Sequence, residues 1–172
     1  MIHYKIGFLW IAVAIFLLPV LINIVYAIFP PANADRNTQP KNKALEWIEQ
    51  FARILYFISL VLIVSKKAVS YKSPWLILAA AFLALYYIVW IRYFTGGRDI
   101  TLLGKSFCGV PMPLAVFPVL YFMSAALWLH NYIACGFMVI FGTAHIVSTT
   151  AKFMGGEEAG EKSVRTYDGE QL

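Results

Sequence analysis

Charged residues are scarce in this sequence, 13% of 172 residues against 60% hydrophobic ones. A soluble domain of that size could not hide so much apolar surface. Cysteine is scarcer still. Cys108 and Cys135 are the only two, and neither belongs to a CxxC or Cys/His cluster. Zinc would want three or four Cys, His or carboxylate ligands, so no metal centre and no cofactor is expected. There is also no Walker loop, no GxSxG and no HExxH, which removes the motif routes to phosphate binding, acyl transfer and zinc proteolysis.

What the chain has in abundance is long apolar runs, near 6–29, 46–65, 74–93, 111–129 and 132–152. A bilayer core of about 30 Å asks a helix for about 20 such residues. In lipid each backbone polar group must be satisfied within its own segment, so the runs are read as helices. The expected fold is all-α: a polytopic integral membrane bundle of five transmembrane helices. Residues 1–153 form its one domain, and 154–172 a flexible polar tail. Lys5 followed by an apolar run imitates a secretory signal, but Ile6 to about Phe29 lacks a small-residue cleavage site and reads as a retained span.

The breaks between runs carry the charge that sets direction. With the N-terminus outside, the inner side holds Arg36, Lys41, Lys43, Arg53, Arg92, Arg98, Lys105, Lys152, Lys162 and Arg165. The outer side holds only Lys5, Lys66, Lys67 and Lys72. Positive residues collect on the cytoplasmic side, so the N-terminus is expected outside and the C-terminus in the cytoplasm. The net charge of +5 then belongs to loops and lipid head groups, not to nucleic acid. Trp10, Trp75 and Trp128 would form an outer belt, with Trp47 and Trp90 at the inner edge. The two cysteines fall at opposite ends, too far apart for a disulfide.

Ionisable groups inside spans are costly and mark functional hypotheses. Here they gather toward the inner edge: Glu46, Glu49 and Arg53 on the second span, Arg92 ending the third with Arg98 and Asp99 beyond it, His145 on the fifth, and Asn23 and Tyr26 on the first. Helical spacing puts Glu46, Glu49 and Arg53 within about 60° of one another, and Glu49–Arg53 is a favourable i,i+4 pair. Arg92 shares a side with Ala81, Ala84 and Ile88, and small residues mark close packing in membranes, so it is expected to face the bundle. The stripe Tyr86, Trp90, Tyr93 is expected to face lipid head groups or a partner. His145 shares a face with Ala134, Met138, Gly142, Ser148 and Thr149, expected to point inward.

Each of these groups has a plainer reading. The glutamates complement a helix dipole, Arg92 snorkels to phosphates, His145 is a structural hydrogen-bonder, and Asn23 serves the backbone freed by Pro19. A haem pair is disfavoured, since His130 and His145 lie about 22 Å apart along one helix. The glycines of "FTGGRD" suggest a phosphate cradle, although such pairs are common in loops.

The segments "YYIVWIRYFTGGRD", "GVPMPLAVFPVLYFMSAALWL" and "IFGTAHIVST" resemble a group of small multi-spanning membrane proteins of Gram-positive bacteria. That resemblance implies a bacterial plasma-membrane location. It brings no known activity, so no functional residue is carried over. Three functions stay open. The first is binding or transport of a small amphipathic or lipid-like ligand in a pocket of the cytoplasmic half. The second is an intramembrane enzyme using Glu49 and His145 as acid and base on a lipid-linked substrate. The third is a scaffold or accessory subunit. Partners are expected among membrane lipids, a second copy of the chain, or another membrane subunit.

Overall fold

The computed structural model describes residues 3–33 and 43–169, with side chains as far as residue 151. It is mostly helical. A short strand β1 (Tyr4–Ile6) leads into α1 (Trp10–Ile28), followed by α2 (Lys43–Leu62), strand β2 (Ile63–Ser65), α3 (Pro74–Thr95), the single turn α4 (Thr101–Gly104), α5 (Pro113–Trp128) and α6 (Tyr132–Gly169). Among the described residues three helices are long and apolar enough to cross a membrane: Trp10–Ile28, Pro74–Thr95 and Tyr132–Ala151 of α6. α5 is apolar but shorter, and α2 carries Glu46, Glu49 and Arg53 within its 20 residues.

Two elements go beyond the expected helices. β1 and β2 pair antiparallel, Tyr4 opposite Ser65 and Ile6 opposite Ile63. The first and second apolar runs therefore yield their outermost residues to a ribbon, which satisfies the backbone where the helices stop. α6 also continues as helix to Gly169, through the segment expected as a flexible tail. Of the residues used to set direction, Arg36 and Lys41 lie outside the described residues, as do the side chains of Lys152, Lys162 and Arg165.

The core is built from two helix pairs, α2 with α6 and α3 with α5, with α5 also packed on α6. At the α5–α6 crossing Gly142 lets the helices close up: a Cβ there would stand 2.6 Å from Val119 Cγ1. α1 lies against the others with only Ala12, Ile15 and Pro19 buried. Pro19 has no N–H to give the Ile15 carbonyl, and the Tyr121 hydroxyl takes that place at 2.8 Å. Tyr87 likewise donates to Leu18 O at 2.6 Å. Asn23 does not serve the backbone: its Oδ1 accepts from Tyr86 Oη at 2.9 Å.

The orientation expected of α3 is reversed. Tyr86, Trp90 and Tyr93 are the buried face, 3%, 5% and 0% exposed, while Ala81, Ala84 and Ile88 face outward. The aromatic rings fill the space between α3, α1 and the 94–110 region, where the Tyr26 ring lies tilted with its centroid 5.2 Å from that of Trp90. In this bundle the large rings, not the small residues, make that contact. Trp90 is thus core rather than belt. Trp128 is also buried, donating Nε1–H to Ser70 O at 2.9 Å, whereas Trp10, Trp47 and Trp75 are exposed as expected.

Candidate functional site

Two i,i+4 pairs on facing helices build the site. Glu49 and Arg53 stand one turn apart on α2, and Phe141 and His145 one turn apart on α6. Arg53 Nη2 donates to Glu49 Oε1 at 2.9 Å, and His145 Nδ1 lies 3.0 Å from the same oxygen. That second contact is a hydrogen bond when Nδ1 carries the proton. The His145 and Phe141 rings stack at 5.1 Å and 13°, and the Arg53 guanidinium sits 5.3 Å from the Phe141 centroid, within cation–π range. One ring thus braces the cation and the imidazole that share one carboxylate.

Exposure differs along this chain of contacts. The Glu49 side chain is 13% exposed, His145 26% and Arg53 41%. A carboxylate so nearly covered is tolerated only with partners of this kind. Arg53, by contrast, spends a single nitrogen on Glu49, and among the described residues its other N–H groups meet no acceptor. The inward face expected of α6 is present, with Ala134, Met138, Gly142 and Ser148 buried. The same α2–α6 seam also opens into an apolar groove of about 400 Å³, lined by residues including Leu45, Ile48, Ile140, Ala144 and Val147. Ile48 and Ala144 are the chain neighbours of Glu49 and His145, but Glu49, Arg53, Phe141 and His145 do not themselves line the groove.

Arg92 does not join this cluster. Its guanidinium donates to Leu102 O at 3.1 Å, Lys105 O at 2.8 Å and Ser106 O at 3.2 Å, and lies over the Phe107 ring. It closes the carbonyl end of α4, a structural task. Arg98 and Asp99 are likewise loop fasteners. Arg98 adopts a left-handed φ of 59°, giving its N–H to Tyr93 O and accepting from Ala32 N. The amides of Gly96 and Arg98 are therefore consumed in ending α3, which leaves "GGRD" a helix stop rather than a phosphate cradle. Asp99 Oδ1 accepts from Asn33 Nδ2, Thr101 N and Thr101 Oγ1, and these bonds hold its carboxyl below the usual carboxylate range. Glu46 stands in the first turn of α2, and Tyr26 belongs to the aromatic wall against Trp90 and Tyr93.

Sequence reasoning places Asn131 near the surface, but the fold buries it. It is 1% exposed, and its Nδ2 donates to Ser59 O at 2.7 Å and Ile63 O at 2.8 Å. Its Oδ1 accepts from Ala134 N, an N-cap on α6 that also seals the end of α2. An asparagine directly before a long apolar run was the available signal. Cys108 and Cys135 are free thiols, exposed and half-buried respectively. Among the described residues no three His, Cys, Asp or Glu side chains gather as a metal site. The chain matches no protein-family model, no curated protein and no solved structure.

Proposed function

We propose that this is a five-span plasma-membrane protein, N-terminus outside, that binds or transports a small amphipathic or lipid-like ligand at the cytoplasmic end of the α2–α6 seam. The observation that carries the reading is the shared Glu49 carboxylate, held by Arg53 and His145, on a helix pair that also forms an apolar groove. Ionised groups at such depth are costly and by default functional. The unspent N–H groups of Arg53 would take an anionic head, and the groove would take the chain. Glu49 and His145 set the position of the guanidinium through the bonds and ring stack described above. The carboxylate–imidazole contact is also the arrangement acid–base chemistry needs, which favours an intramembrane enzyme as the second reading.

A thermal-shift series with dodecyl phosphate, dodecyltrimethylammonium and dodecyl maltoside tests the proposal. Selective stabilisation by the phosphate, lost in Arg53→Gln, supports it. Equal response to all three head groups, or a response unchanged in Arg53→Gln, removes it. An enzyme would in addition consume a lipid-linked substrate, and its turnover would vanish in Glu49→Gln while binding persisted.

A further inference from the structure

The opposite end of the bundle carries an inference independent of the α2–α6 seam. β1, β2, the 66–73 loop and the 129–131 turn meet there and are fastened to one another. Lys66 N donates to His3 O at 2.9 Å, and Trp128 reaches Ser70. Lys5, Lys66, Lys67 and Lys72 all stand exposed on this platform. No aspartate or glutamate occurs within 3–9, 63–73 or 129–131, so among the described residues no carboxylate of these segments neutralises them. The other end is mixed, with Glu46, Glu49 and Asp99 among its arginines. The field is felt locally: burial, and then the charge of Lys67, hold the His130 imidazole below its usual pKa.

The lysines rise from among exposed apolar side chains, with Ile6 92% and Tyr71 76% exposed. A soluble polyanion would use the ammonium groups and leave those side chains in water. Phosphate head groups over acyl chains use both, because lysine stems lie along apolar surface while their heads reach the phosphates. Basic residues at a membrane surface each attract anionic lipid.

We propose that this acid-free end binds the head groups of anionic phospholipids in the leaflet it meets. The test is to reconstitute the full chain in bilayers of phosphatidylglycerol and phosphatidylcholine, extract it gently, and weigh the retained lipids by native mass spectrometry. The wild type retains phosphatidylglycerol about ten-fold above its bulk proportion. Replacing Lys5, Lys66, Lys67 and Lys72 together by Gln returns the ratio to bulk, while replacing the same four by Arg preserves it. Lys105→Gln, at the other end, changes nothing. All four lysines are exposed, so the variants should keep the wild-type melting midpoint, and raising the salt concentration on the wild type supplies the same loss of enrichment without any substitution. Three results overturn the proposal: no enrichment in the wild type, enrichment that survives the Gln set, or displacement of the lipid by millimolar inorganic phosphate, which would mark a site for soluble anions.

Discussion

The two ends of the bundle spend their polar side chains in opposite ways. At the ribbon end, Asn131 and Trp128 give their hydrogen bonds to main-chain carbonyls, and the charged groups are left as bare lysines. At the α4 end, Arg53 and His145 both meet the Glu49 carboxylate. A side chain that satisfies backbone is committed to the fold, because withdrawing it orphans a buried carbonyl. A side chain paired with another side chain keeps charge that a ligand can engage. Arg92 shows that the distinction is made residue by residue, since it sits at the α4 end yet gives Nη1 and Nη2 to carbonyls, while its buried Nε meets no acceptor among the described residues.

The contrast can be broken most forcefully at Asn131. Asn131→Ala removes three hydrogen bonds and should cost about 3 kcal/mol, measured by denaturant unfolding in detergent, with amphiphile binding to the folded fraction unchanged. A cost near zero would mean that the ribbon end is not held as described. Gly142→Ala drives a Cβ toward Val119 and should cost about 1–3 kcal/mol by the same measurement. Tyr121→Phe strips the Ile15 carbonyl beside Pro19 of its donor and should cost about 1–2 kcal/mol, again without touching ligand binding.

Arg53→Gln should do the reverse. Its side chain is 41% exposed, so stability should fall by about 0.5 kcal/mol or less, while the response to dodecyl phosphate disappears. The smallest effect is at His130. Its pKa lies below the ordinary 6.5 when folded, burial being the main cause, so the unfolded chain binds the proton first. Stability is full above pH 6.5 and declines as pH falls from there toward the lower folded value. His130 has a φ of 53°, which asparagine tolerates. A His130→Asn variant should flatten the melting midpoint across that window, and a slope that persists would assign the titration elsewhere.

Much of this was legible in the chain. The apolar runs mark where helices α1, α2, α3, α5 and α6 lie, and the i,i+4 spacing of Glu49 and Arg53 declares their bond. The small, polar face of α6 points His145 inward. Three features were hidden, each for a physical reason. Facing on α3 was inverted because the large rings of Tyr86, Trp90 and Tyr93, with the Tyr86 hydroxyl reaching Asn23, fill the contact that small residues were expected to make. The partner of Pro19 is Tyr121, far along the chain, and no local pattern announces it. Arg92 looked like a pocket residue because its partners are carbonyls of a loop whose path depends on the folded backbone.

The central claim is that the α2–α6 seam holds an amphiphile by its head at Arg53. Photo-crosslinking with a diazirine-bearing dodecyl phosphate, followed by peptide mapping, tests it most directly. Adducts should concentrate in residues 45–53 and 139–147 of the wild type and vanish in Arg53→Gln. Adducts spread evenly over the exposed apolar residues of α1, such as Leu21 and Ile24, or unchanged in the variant, would contradict it.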